Sequence, residues 1–198
     1  MKNPFRFPFI LTIFSLTFLS CKTTNTNNAP EAFSQTNVLP DTLYDCQLNG
    51  NLSKEERRTI SFFRIAKKIK LISFSQKVVH STPIDKHLIA SNYLKDEITL
   101  TEDQIDRLTE ILYNYNFSKD LNSRTITHGD CYEPRHAIVF LNSSDKVFGY
   151  FEFCFECKNH RTFPTKENIG EYCPTKYLLI ADFFKSVGIT FFEEQEEE

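Results

Sequence analysis

The sequence predicts an α+β domain, an antiparallel sheet with helices packed on it, and three observations carry that expectation. The first is a hairpin pattern: apolar runs His136–Leu141 and Val147–Cys154 flank the polar turn Asn142-Ser143-Ser144-Asp145. The second is a pair of helical segments, about 102–115 and 175–187, with recognisable start and stop signals. The third is that no motif recurs at a fixed period, so the elements build one irregular layer pair rather than a repeat array.

Taken in order, the first segment of the domain holds Cys46 in a polar context, YDCQLNGN, that closes on the turn signal Asn49-Gly50. Ser53-Lys54-Glu55-Glu56 has the form of a capping box. It predicts a helix over Lys54–Phe63, although Ile60, Phe63 and Ile65 fit neither the helical nor the strand period cleanly. Lys68–Ser75 reads as a strand, with Ile69, Leu71 and Ser73 on one face and Ile72 and Phe74 on the other. Ser81–Tyr93, with Pro83 and two histidines, reads mostly as loop. Thr101 and Gln104 form a second capping box. Ile105, Leu108, Ile111, Leu112 and Tyr115 then recur along one helical face. Both faces of His136–Leu141 are largely apolar, which places that strand at the centre of the sheet and covers it on both sides. The last helix starts after Pro174, carries Tyr177, Ala181 and Phe184 on one stripe with Leu178 beside it, and stops at Gly188. With 20 Phe, 8 Tyr and no Trp, the core is expected to be built on aromatic packing.

The chain ends read differently. Lys2 and Arg6 precede the short apolar run Phe7–Leu19, and Leu19-Ser20-Cys21 places a small residue before a cysteine. That order of charge, apolar core and small residue predicts a cleaved export signal over residues 1–20. The apolar run is shorter than the ~20 residues of a spanning helix. The Cys21 context resembles the lipobox of bacterial lipoproteins, with Phe18 where Leu is usual. The resemblance implies acylation of Cys21 and a membrane partner through that lipid anchor. Lys22 after the cysteine, instead of an inner-membrane-retaining Asp, implies the outer membrane of a bacterial envelope. Residues 21–40, rich in Thr, Asn and Pro, read as a flexible tether. Residues 41–190 form one domain and 191–198 an acidic tail.

Cleavage removes two basic residues and no acidic one, taking the formal net charge from −3 to −5. With no basic run beyond Lys67-Lys68-Ile69-Lys70, the chain is a poor ligand for nucleic acid, whose binding rests on neutralised phosphates.

Beyond Cys21 lie five cysteines: Cys46, Cys131, Cys154, Cys157 and Cys173. Hairpin geometry brings Cys131 opposite Glu156 for a two- or four-residue loop and opposite Cys157 for a three-residue loop. Cross-strand Cα separations of ~4.5–5.5 Å suit a disulfide. Three readings stay open. A disulfide framework would join Cys131 to Cys154 or Cys157, with Cys173 taking the other, and would need no cofactor. A structural zinc would use Cys131, Cys154, Cys157 and Cys173, or recruit His128 or His160. A redox dithiol would use Cys154-Phe155-Glu156-Cys157, though the following residues lack the helical pattern that lowers a thiol pKa.

Polar residues around the hairpin invite a catalytic reading, among them His128, His136, Glu152 and His160. No nucleophile elbow, H-E-x-x-H or P-loop spacing accompanies them. His136 on an apolar strand reads as a satisfied core histidine, and buried Glu152 requires a partner, for which Arg135 is the candidate. The pattern C…PRHAIVF…CFEC…C over about 130–189 resembles a group of uncharacterised small lipoproteins of Bacteroidota-type bacteria. That resemblance implies no activity. The expectation is a non-enzymatic, lipid-anchored envelope domain that binds a protein or glycan partner or serves a structural role. The alternative is an envelope redox or metal-dependent enzyme using the CFEC cysteines and nearby His and Glu.

Overall fold

A computed structural model describes residues 46–75, 82–117, 131–171, 173 and 175–192. All belong to the unit Val38–Glu198. The expected export signal over residues 1–20, Cys21, the whole of the expected tether, His128 and residues 193–198 lie outside the described residues.

The architecture is α+β. Its main sheet has five strands: β2 (Lys68–Phe74), β5 (Leu94–Thr99), β7 (His136–Leu141), β8 (Val147–Cys154) and β9 (Asn159–Phe163). They run in the order β5-β2-β7-β8-β9 with every neighbouring pair antiparallel. The central place expected for His136–Leu141 holds, and all six of its residues are buried. Its two faces feed two cores. Ile138 and Phe140 join Ile69, Leu71, Phe151 and Phe153 under the helices. Ala137, Val139 and Leu141 join Ile72 and Phe74 on the other side. That second face is closed by a small hairpin, β3 (Ile84–Asp85) and β4 (Leu88–Ile89), within the segment expected to be loop. Its tip is tied down by the amide of Val147, which donates to the His87 carbonyl at 2.7 Å.

The β7–β8 turn has the three-residue loop. The Asn142 amide donates to the Lys146 carbonyl at 3.0 Å, and Asp145 takes φ 55° to close it. Asn142 Oδ1 accepts the amides of Ser144 and Lys146, the side-chain mimicry that suits Asn to turns. Leu141 faces Val147, but Phe140 faces Gly149, so Phe148 is an extra, bulged residue. Gly149 is required here, since a Cβ would lie 2.7 Å from the Phe62 ring. That ring sits 5.3 Å from Phe140 and 5.4 Å from Phe151 in the aromatic core.

Helix α2 (Glu102–Asn114) starts at the expected capping box, with both reciprocal bonds made. Ile105, Leu108, Ile111 and Leu112 are buried, whereas Tyr115 leaves the helix with extended backbone and opens β6 (Tyr115–Phe117). β6 pairs with β1 (Cys46–Leu48), and neither strand was expected. Helix α3 (Lys176–Ser186) ends at Gly188, φ 109°, where the Ile189 amide returns to the Phe184 carbonyl at 3.1 Å. Leu178 is exposed, and Ile180 and Phe183 complete the buried stripe instead. The first helix is corrected too. α1 covers only Lys54–Arg57, because the chain breaks at Ser61 (φ 51°) into a 3-10 turn that inserts Phe62 and Phe63 into the core.

The domain ends later than expected. Phe191 and Phe192, assigned to the acidic tail, dock on the sheet edge. Asp96 accepts the amides of Thr190 at 3.0 Å and Phe191 at 2.9 Å, and the Ser73 hydroxyl at 2.7 Å. Burial alone would raise the Asp96 carboxyl, but these donors hold it below the ordinary value.

Candidate functional site

Three of the sequence-predicted cysteines converge where β7 begins and β8 ends. Cys131 lies on the lead-in to β7, Cys154 closes β8, and Cys157 sits in the turn that reverses the chain into β9. Lys158 at φ 48° completes that turn. The Arg135 amide donates to the Phe153 carbonyl at 3.3 Å, which holds the lead-in beside the end of β8. The Phe148 bulge shifts the register by one, so Cys131 reaches Cys157 through the turn and not as a cross-strand pair.

The Cα of Cys157 is 5.7 Å from that of Cys131 and 5.3 Å from that of Cys154. Both separations lie within disulfide span, so the Cys157 sulfur is within bonding reach of either partner. Cys154 and Cys157 are buried and Cys131 is exposed. The Cys157 amide donates to the Cys154 sulfur at 3.3 Å. Beside the cluster, Arg135 pairs with Glu133 and Glu156.

Cys173 goes elsewhere. It is fully buried and bonds to Cys46, 127 positions away in sequence, with Cα atoms 5.5 Å apart. The Cys46 amide is fixed in turn by the Thr175 hydroxyl at 2.8 Å, so the link joins β1 to the entry of α3. The expected pairing of Cys173 with Cys154 or Cys157 is thereby corrected. The reason is the β1–β6 ladder, which carries Cys46 across the domain and gave no signal in a three-residue strand.

Among the described residues, Cys131, Cys154 and Cys157 are the one group of three ligand side chains within metal-binding reach of one another. A closed tetrahedral zinc site takes four protein ligands. Cys173 is held by Cys46, and the His160 Nδ1 lies 2.6 Å from the Tyr177 hydroxyl, so neither joins the three sulfurs.

Among the described residues, the acid/base candidates His136, Glu152 and His160 do not assemble into one pocket. His136 is buried among Phe155, Phe184 and Phe192. Its Nε2 lies 2.8 Å from the Phe191 carbonyl, which only accepts, so Nε2 carries the proton. Burial pulls the imidazole down to about 4 and keeps it neutral at ordinary pH.

Glu152 is buried on the opposite face of the sheet and receives three donors. They are the Thr82 amide at 2.6 Å, the Thr82 hydroxyl at 2.7 Å and the Tyr132 hydroxyl at 2.8 Å. Arg135 is therefore not its partner, being drawn off by Glu133 and Glu156. The basic neighbour is Arg161, which faces Glu152 across β8–β9 and lies 3.8 Å over the Tyr132 ring. Burial first, and the Glu152 charge second, push the Tyr132 phenol above its usual range, so it stays a donor.

Lys176 went unnoticed in the sequence because a lysine in a helix reads as solvated. It is buried, and its ammonium donates to the carbonyls of Leu112, at 2.7 Å, and Glu171. It thus satisfies the end of α2, and desolvation brings it down to about 8.

Two shallow clefts lie nearby. One, with room of only about 10 Å³, is lined by Glu133, Arg135, His136 and Glu156 with two phenylalanines. The other, also with room of about 10 Å³, lies between His160, Lys176 and Tyr177. Both are smaller than the ~300–1,000 Å³ that encloses a drug-sized ligand. Among the described residues no helix is long and apolar enough to cross a membrane. No family model matches the chain, and no curated protein or solved structure matches it either.

Proposed function

We propose that this chain is a lipid-anchored protein of a bacterial cell envelope, held at the outer membrane through Cys21. Its domain is a non-enzymatic binding or structural module stabilised by disulfides, directed at a protein or glycan partner. The observation that carries this reading is the Cys46–Cys173 link, which ties together segments from opposite ends of the domain. A disulfide of that kind forms and persists in an oxidising compartment, which is where the basic, apolar and small-residue order of residues 1–21 directs a chain. The engagement of His136 Nε2 by Phe191 and of Glu152 by Thr82 and Tyr132 supports the non-enzymatic reading, because each group is already held by partners inside the fold. The resemblance of residues 130–189 to small Bacteroidota-type lipoproteins supports the lipid-anchored part of this reading and implies nothing about activity.

The test is metabolic labelling with a palmitate analogue in a bacterial host that exports the chain. Wild type is expected to carry label in the membrane fraction and Cys21→Ser to lose it. Equal labelling of the two would remove the anchor.

A further inference from the structure

Five cysteines lie beyond Cys21, and Cys46–Cys173 takes two of them. Three remain, and all three meet at one point. A sulfur forms one disulfide at a time, so Cys157, in reach of both neighbours, always leaves one of them as a thiol. We propose that Cys131, Cys154 and Cys157 form a thiol–disulfide exchange centre. In it the free thiol alternates between buried Cys154 and exposed Cys131, where it is open to a small external disulfide.

The internal step balances without an oxidant. The Cys154 thiolate attacks the Cys157 sulfur of the Cys131–Cys157 bond. A Cys154–Cys157 bond forms, the Cys131–Cys157 bond breaks, and Cys131 leaves as a thiolate that takes up the proton Cys154 gave up. Attack on the Cys157 sulfur is the geometry provided, since Cys157 is the member within disulfide span of both neighbours. The Cys157 amide, donating to the Cys154 sulfur at 3.3 Å, stabilises negative charge on the nucleophile. The outward step follows ordinary exchange chemistry. The Cys131 thiolate attacks one sulfur of an external disulfide, forms a mixed disulfide and releases the other half as a thiol. Burial closes Cys154 and Cys157 to that reaction and leaves Cys131 as the port.

The internal exchange rests on the oxidising compartment proposed above only for the disulfide it starts from. Cys46–Cys173 is therefore the internal control.

The experiment uses the full chain, exported, purified in detergent without reductant, and split into two samples. One is acid-quenched, denatured, alkylated and mapped by mass spectrometry. The other is first incubated with oxidised glutathione at neutral pH. The first is expected to show one thiol per chain, divided between Cys131 and Cys154, with Cys46–Cys173 closed. The second is expected to carry one glutathione on Cys131 with a matching loss of the Cys154 thiol. Cys154→Ser is expected to abolish the adduct by locking Cys131 to Cys157, and the wild-type measurement stands even if that variant fails to fold.

A thiol fixed at Cys154 that glutathione disulfide does not draw out to Cys131 would overturn the exchange centre. So would a metal ion holding all three sulfurs as thiolates. If Cys46–Cys173 is closed in either case, the envelope reading survives alone; if it is open as well, both fall.

Discussion

Removing the side chain of Leu108 tests how α2 is seated. Leu108 is fully buried in the core between the sheet and the helices. Leu108→Ala deletes three carbons, about 2.4 kcal/mol at ~0.8 kcal/mol per buried carbon, and a residual cavity raises the loss to ~3–5 kcal/mol. Two neighbours on the same helix provide the scale. Arg107 is exposed, so Arg107→Ala is expected to change stability by less than about 0.5 kcal/mol. Asp106, one position earlier, looks from its place on the polar face like an equally neutral site. The structure excludes that, because the Asp106 carboxylate receives the buried Arg57 guanidinium, which also donates to the Leu52 carbonyl at 2.7 Å. Asp106→Ala leaves that cation with one partner fewer. The expected cost is ~1–3 kcal/mol, below the full price of breaking a buried pair because the carboxylate is 35% exposed. The assay is urea unfolding followed by far-UV circular dichroism, which suits a chain with no Trp. The order Leu108 above Asp106 above Arg107 is the expected result. A Leu108→Ala loss under about 1 kcal/mol, or an Arg107→Ala loss equal to it, would refute the seating of this helix.

Acid should weaken the domain through His136. Its folded value of about 4 lies below its ordinary 6.5, so between these the unfolded chain binds a proton that the folded chain does not. Stability is then complete above pH ~6.5 and declines as the pH drops toward ~4, by ~3 kcal/mol in all. Urea midpoints across that window should slope for the wild type and flatten for His136→Gln, which keeps a donor for the Phe191 carbonyl; identical slopes would assign the effect to other groups. The disulfides should differ in weight. Cys46–Cys173 spans 127 positions, and a closed loop of that length contributes up to ~5 kcal/mol in the chain-entropy account. Cys131→Ser leaves Cys154 and Cys157, three positions apart, to pair with each other. It exchanges a loop worth ~3.5 kcal/mol for one worth ~2. Thermal unfolding without reductant should therefore place Cys46→Ser well below Cys131→Ser, and similar losses would contradict that account.

What the sequence disclosed and what it hid follow a physical divide. The central hairpin was legible because β7 is apolar on both faces, and its turn advertised itself through Asn142 and Asp145. Helix α2 was legible because Thr101 and Gln104 mark its start within four residues. The two sheet edges were not. β5 (LKDEIT) and β9 (NHRTF) are half-exposed, and an edge strand full of polar residues carries little periodic signal. The short β1–β6 ladder is held by long-range pairing and the Cys46–Cys173 link, neither of which leaves a local trace. The Phe148 bulge was hidden for a different reason. Val147 and Phe148 are both apolar, so the alternation does not say which of them faces Leu141. Glu152 stood out as a buried carboxylate, but its partners come from Thr82 and Tyr132, on segments that only the fold brings together.

The position of the three sulfurs in this framework bears on how readily they can exchange. Cys131 precedes β7, Cys154 ends β8, and Cys157 lies in the four-residue turn before β9. The backbone around them is set by the ladders, with Arg135 bonded to Phe153, Phe153 paired to His136 and His160, and Cys154 paired to Asn159. None of these bonds depends on which sulfur Cys157 holds. Changing its partner therefore requires side-chain rotation at three residues and leaves the sheet register as it is. The Cys46–Cys173 link is in the opposite situation. Its ends belong to β1 and to the entry of α3, and opening it frees two segments that few other contacts join. The same domain thus carries one disulfide placed to hold the fold closed and a cluster placed where the fold is indifferent to its pairing. That difference is why exchange is assigned to Cys131, Cys154 and Cys157 and stability to Cys46 and Cys173.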